Sequence, residues 1–200
     1  MFETVTKNLE KHNFTVSCFA TAKEASSYLN KEIDGQSVAF GGSVTLDEMG
    51  LYDSLGSHNS VVWHVKGNTP EEQGILRKKA MDTSVYISSV NGLAETGEII
   101  NIDGSCNRVS SVFFGHERVY LVVGKNKIRP DYDSALDRAR NIASPLNAKR
   151  LGRKTPCAEK ADHCYDCSSP ERICCGLTVL WCKPLGAEME IVLIDEDLGY

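Results

Sequence analysis

Short runs rich in β-branched and aromatic residues alternate with segments of helical spacing, and this alternation constrains the fold more than any other feature of the chain. Residues 14–20 (FTVSCFA), 37–40 (SVAF), 61–65 (VVWHV), 85–90 (VYISSV), 98–102 (EIINI), 119–123 (VYLVV) and 189–194 (MEIVLI) read as strands, because such side chains pack well on a pleated, half-buried surface. Between them, Phe2, Val5 and Leu9 recur at helical spacing and predict an amphipathic helix that ends at Asn13. Thr21 stands three residues before Glu24 and opens a second helix as a capping box. Ser43 caps a helical pattern over 43–56, and Pro70, Glu71 and Glu72 begin another that runs through Lys79. Residues 131–147 read as one long helix with Ala135, Ala139 and Ile142 towards the core. Strand and helix in turn predict a mostly parallel, Rossmann-like three-layer α/β sheet, whose ligands sit at the carboxyl ends of its strands. Cys18 is expected to be a small core side chain, and His64 a satisfied residue of the sheet rather than a ligand.

A chain of 200 residues, 42% hydrophobic, suits a single domain. Its formal charge of −5 is spread without a basic block, so nucleic acid is not an expected partner. No run of eighteen apolar residues occurs, and the charged, amphipathic start is unlike a signal peptide. The expectation is a cytoplasmic protein without a membrane contact, its oligomeric state open and a homo-oligomer among the options.

Strand 37–40 runs into Gly41, Gly42 and Ser43, a strand–turn–helix junction that aims backbone N–H groups at a phosphate or carboxylate. The spacing matches neither common glycine-rich nucleotide fingerprint, and turn glycines alone also explain it. Further on, Glu95 stands in a polar turn, Asn107 and Arg108 in a loop, and Lys125 and Lys127 just past strand 119–123. A carboxylate, an amide, a guanidinium and ammonium groups near strand ends could hold a small organic acid. The plainer alternative pairs Glu95 with Arg108 or Lys127 as a turn cap.

Between the long helix and the last strand, five of the eight cysteines fall within residues 157–175. Cys157, Cys164, Cys167 and Cys174 stand at C-x6-C-x2-C-x6-C. In a reducing compartment clustered cysteines are better read as ligands or reactive thiols than as disulfides. Four soft thiolates are the ligand set of a [4Fe–4S] cluster or of zinc, and the x2 pair lets two sulfurs reach one centre across a turn. Disulfides and plain reduced packing are the alternatives. The segment at 155–176 is expected to be a cysteine-rich flap inside the single domain 1–200.

Several segments together resemble the LUD domain family, the DUF162-like lactate-utilisation proteins. They are SVTLDEMGL (43–51), GLAETGEI (92–99), Asn107–Arg108, VVGKNKI (122–128), ASPLNAKR (143–150), TPC (155–157), the pair Cys164 and Cys167, SPERIC (169–174) and the terminal LGY. The resemblance implies a sheet similar to those of ribose isomerases and CoA transferases (NagB/RpiA-like). It also implies a part in L-lactate or related organic-acid oxidation alongside an iron–sulfur partner protein. The cysteine spacing here is not the ferredoxin C-x2-C-x2-C-x3-C, so a ferredoxin cluster does not transfer. Two other functions fit the residues: a CoA- or phosphate-binding module stapled by zinc, and a transferase or isomerase led by Glu95.

Overall fold

The computed structural model describes residues 2–200. Its first half runs α1 (Glu3–Lys11), β1 (Thr15–Phe19), α2 (Ala22–Glu32), β2 (Ser37–Phe40), α3 (Val44–Glu48), α4 (Leu51–Gly56), β3 (Ser60–Trp63), α5 (Pro70–Ala80) and β4 (Val85–Ser89). The second half adds β5 (Gly92–Ala94), β6 (Ile99–Asp103), α6 (Asn107–Phe113), β7 (Arg118–Gly124), β8 (Ile128–Arg129), α7 (Tyr132–Arg138), α8 (Ser144–Arg150), α9 (Pro156–Lys160), β9 (Gly176–Leu180) and β10 (Glu188–Ile194). Short 3₁₀ turns follow β3 (His64–Lys66) and β7 (Lys125–Lys127), and a π-helical turn (Ala139–Ala143) joins α7 to α8.

Six strands pair in parallel throughout, in the order β1-β10-β7-β4-β2-β3. Alternation along the central strands supplies two cores. Val119, Leu121 and Val123 of β7 face one side with Met189, Ile191 and Leu193 of β10, against Val5 and Leu9 of α1. Tyr120, Val122, Val192 and Ile194 face the other, against Leu29 of α2, Leu46 of α3 and Leu51 and Leu55 of α4. Helices cover both faces, which is the three-layer α/β arrangement that the alternation predicts. A second, mixed sheet in the order β8-β5-β6-β9 lies beside the first, with Ala94 and Ile100 packed on Ala135 and Ala139.

Four local expectations change. The helical pattern over 43–56 is two helices, because Gly50 sits at φ +61° and breaks it. The helix expected over 131–147 widens into the π turn before Pro145, which has no N–H and would press on the carbonyl four residues earlier. Ser144 Oγ takes up the carbonyl of Ala139 at 2.8 Å, and the shifted register leaves Ile142 39% exposed instead of in the core. Cys18 is exposed on the edge strand β1. His64 stands past the end of β3, in the 3₁₀ turn.

The chain reverses its direction of growth at β2. From β2 it moves outward to β3, then returns to lay β4 on the other side of β2. The loops leaving β2 and β4 therefore part, and a crevice opens at their carboxyl ends.

Candidate functional site

That crevice is a cleft of about 390 Å³. Gly42, Ser43 and Val44 enter it from β2, His64 and Val65 from β3, and Ser89, Val90 and Asn91 from β4. Gly41 lies beneath, its N–H donating to the Ile87 carbonyl at 2.8 Å and its own carbonyl accepting from Trp63 Nε1 at 3.1 Å. Ser43 caps α3 by accepting from Leu46 N–H at 3.3 Å. Asn107, Arg108 and Lys127 also line the cleft, as do Arg77 of α5, Arg150 of α8 and Arg153 beyond it.

Arg108 is the fixed point of the wall. Its guanidinium donates to the Ser89 carbonyl, Asn101 Oδ1, Asn91 Oδ1 (2.9 Å) and the Ile102 carbonyl (2.8 Å), and its Nε is 3.8 Å from Asp103 Oδ2. All five N–H groups are thus turned to protein atoms, which ties α6 to β4 and β6. Arg108 lends the cleft its charge rather than free donors.

Lys127 is 3% exposed and donates from Nζ to Thr45 Oγ1 at 2.7 Å and Ser89 Oγ at 2.9 Å. Burial above all, then repulsion from Arg138 and Arg108, brings its pKa from 10.5 down to about 7, against a weaker pull from Glu48. Burial, and after it Arg77, brings His64 down to about 4, so this imidazole is neutral at pH 7. Among the described residues Arg77, Lys127, Arg150 and Arg153 have no carboxylate within ion-pairing distance. Arg77 Nε is also buried without a hydrogen-bond partner. Among the described residues three arginines and the buried Lys127 amine therefore face one cleft whose single lining carboxylate side chain, Asp103, is engaged with Arg108.

Two expected site residues lie elsewhere. Glu95 is exposed and does not line the cleft; its carbonyl accepts from Asn8 Nδ2 at 2.7 Å. The turn that carries it packs Gly97 against His12, which leads into the start of β1, so it lies toward the edge of the sheet opposite the cleft. Lys125 is half-exposed, with Nζ 3.3 Å from Asp195 Oδ1 at the end of β10, and is also outside the cleft lining. Arg77, Arg150 and Arg153 carry most of the free charge and were not among the expected ligands. The one sequence signal is the basic linker LGRK at 151–154, which holds Arg153 and follows Arg150; Arg77 has none.

Cys157, Cys164, Cys167 and Cys174 come together on one small cavity of about 10 Å³, walled by Pro145, Ala148 and Ile173. All are free thiols. Thr155 caps α9, Asn141 Oδ1 of the π turn accepts from Cys164 N–H at 3.0 Å, and Arg172 donates to the Cys167 and Cys174 carbonyls. Burial pushes the Cys174 thiol up, with Arg172 opposing. Among the described residues no group of three or more His, Cys, Asp or Glu is disposed to hold a metal ion. The chemistry of the donor set fits a thiolate-bound centre, but a cavity this small requires the loop to move apart to admit one. Ser144 and Ile173 line both this cavity and the cleft, and Cys175 N–H donates to the Asp103 carbonyl at 3.0 Å, so the flap is built onto the cleft wall.

An all-parallel α/β sheet with helices on both faces and a cleft at its switch point defines a protein of the Rossmann-like class. More particularly, the chain belongs to the LUD domain family, whose model matches residues 2–194. The crystal structure of a DUF162 family protein from Deinococcus radiodurans is similar over 96% of this chain and 94% of that one, with a TM-score of 0.56 and 11% identity. Ribose 5-phosphate isomerase A from Neisseria gonorrhoeae matches over 55% of this chain and 53% of its own (TM-score 0.37, 12% identity). For eIF2B beta from Chaetomium thermophilum the shares are 56% and 44% (TM-score 0.40, 13% identity). No curated protein matches the chain significantly. No helix among the described residues is long and apolar enough to cross a membrane.

Proposed function

We propose that this LUD domain protein binds a small organic acid in the strand-end cleft and takes part in the oxidation of L-lactate or a related acid. The observation that carries the reading is the set of three arginines, Arg77, Arg150 and Arg153, that meet in one cleft beside the buried Lys127 amine without a carboxylate partner. Cations gathered so closely repel one another unless a ligand brings the opposing charge. Cys157, Cys164, Cys167 and Cys174 would hold a [4Fe–4S] cluster or zinc, supported by their common cavity. An iron–sulfur cluster there would supply an electron acceptor next to the cleft, and an iron–sulfur protein would be the partner that takes the electrons on.

Thermal shift with lactate, pyruvate, CoA derivatives and nucleotides tests the reading. Stabilisation by lactate or pyruvate that is lost in Arg150→Ala is the expected outcome; no shift with any carboxylate refutes it. A second reading rests on the number of cations, which exceeds the charge of a monocarboxylate. It makes the cleft a site for a phosphorylated or CoA-like ligand, bound through Gly42 and Ser43 of the set Gly41, Gly42, Ser43 and Lys125, with a structural zinc on the cysteines. Stabilisation by CoA derivatives alone would select it. A transferase or isomerase reaction led by Glu95 draws no support from this geometry, since that carboxylate is off the cleft.

A further inference from the structure

We propose that Lys127 is an amine nucleophile that condenses with the carbonyl carbon of a small α-oxo acid held in the cleft. The inference begins with the two hydroxyls beside it. Thr45 Oγ1 donates its proton to the Leu198 carbonyl at 3.2 Å, and Ser89 Oγ donates its own to the Val122 carbonyl at 2.6 Å. Each hydroxyl has one proton, so towards Lys127 both can only accept. Lys127 Nζ must therefore donate twice, at 2.7 and 2.9 Å. Its remaining tetrahedral position meets no third acceptor among the described residues.

A neutral amine satisfies this arrangement fully: two N–H groups are used and the lone pair occupies the position left over. An ammonium would bring a third proton with no protein acceptor, in a buried place with Arg108 and Arg138 nearby. Lys127 lines the cleft, so a molecule held there is the partner available to the free position. Gly199 bounds the same space, and a Cβ there would stand 3.4 Å from Nζ. Burial and cationic neighbours are the usual means of activating a lysine towards carbonyls. The lowered pKa of Lys127 agrees with that assignment but is not needed for it.

The substrate class rests on the reading of the cleft as an organic-acid site. Arg77, Arg150 and Arg153 offer charge for the carboxylate, and in an α-oxo acid the electrophilic carbon is bonded directly to it. In the condensation the lone pair of Nζ forms a C–N bond while the carbonyl π pair moves to oxygen, which is protonated. The carbinolamine then loses that oxygen as water, and nitrogen releases its proton. The product is a C=N bond plus one water, with no oxidant or reductant consumed. Thr45 and Ser89 act as positioning residues, holding the lone pair toward the cleft.

The test treats the full chain with pyruvate and cyanoborohydride, which reduces the imine to a stable secondary amine, and locates the adduct by peptide mass spectrometry. A parallel thermal-shift series uses oxamate, a carboxylate of the same shape whose amide carbonyl does not condense. Labelling of Lys127 about tenfold faster than of exposed Lys7 and Lys78, and suppressed by oxamate, is expected. Labelling spread over exposed lysines with none on Lys127 overturns the proposal. If oxamate still raises Tm in that case, the cleft reading survives the loss of the nucleophile; if it does not, both fall. The wild-type protein gives the decisive readout, so the result does not depend on a variant folding.

Discussion

The backbone of Gly41 passes so close to Tyr86 that a Cβ on Gly41 would stand 2.8 Å from the Tyr86 hydroxyl. The same Cβ would meet Ser88 Cβ at 2.9 Å. Neither neighbour can withdraw, since Tyr86 and Ser88 are both buried in the central strand β4. Gly41→Ala is expected to cost about 1–3 kcal/mol, the range of over-packing in a tight core. Chemical denaturation measures it. The Tyr86 hydroxyl is itself buried without a hydrogen-bond partner, so Tyr86→Phe should be neutral or stabilising and should recover part of the loss in the double variant.

Arg108 and Glu95 should behave in opposite ways. Arg108→Met leaves the acceptors on Ser89, Asn91, Asn101 and Ile102 without their donor and is expected to lower stability by about 3–5 kcal/mol, the cost of breaking a buried charged network. Glu95→Gln changes an exposed side chain and should stay within about 0.5 kcal/mol of the parent. Paired urea melts decide both.

The pH dependence of stability should carry the signature of Lys127. Its folded pKa of about 7 lies below the ordinary 10.5, so between these values the unfolded chain holds the extra proton. Stability therefore rises with pH across that window, by about 1.4 kcal/mol per pH unit at most, and the penalty is constant below it. Lys127→Met removes this rise. A difference between the two proteins that is flat from pH 7 to 10 would contradict the burial of this amine.

The cysteine flap gives a prediction about composition. Protein purified without oxygen should carry iron or zinc, and Cys167→Ser should reduce it to below roughly a tenth of an equivalent, the level adventitious ligands retain. Cys18→Ser and Cys182→Ser, at exposed positions outside the cavity, should leave the content unchanged.

The parts of the fold most legible in the sequence are those buried on both faces. Residues 119–123 form an unbroken apolar run, 189–194 one broken only by Glu190, and they became the adjacent strands β7 and β10. The Thr21 capping box formed as expected, with Thr21 accepting from Glu24 N–H. By contrast, α6 begins at Cys106 with φ +59° and no side-chain cap, so its start has none of the usual signs and the segment reads as a loop. Strand β9 leaves Leu177 half-exposed and lacks clean alternation. The site was legible where its residues follow strand ends closely, at Gly42, Ser43, Asn107, Arg108 and Lys127. Arg77 looks like the solvated face of α5, and Arg150 and Arg153 like a linker. Nothing local says that α5 and the end of α8 come to the same crevice, because that is decided by the sheet order.

The pairing of β1 with β10 has a consequence for how the protein is made. Thr15 is registered against Glu190, so the first strand of this sheet pairs with one that is made far later in the chain. At about 5–20 residues per second the ribosome leaves that edge waiting on the order of 10 s or more. Contacts so distant in sequence also form slowly in the free chain. The nascent protein is then an open sheet with an unsatisfied flank, and a chaperone that shields strand edges is what such a chain would need until β10 emerges.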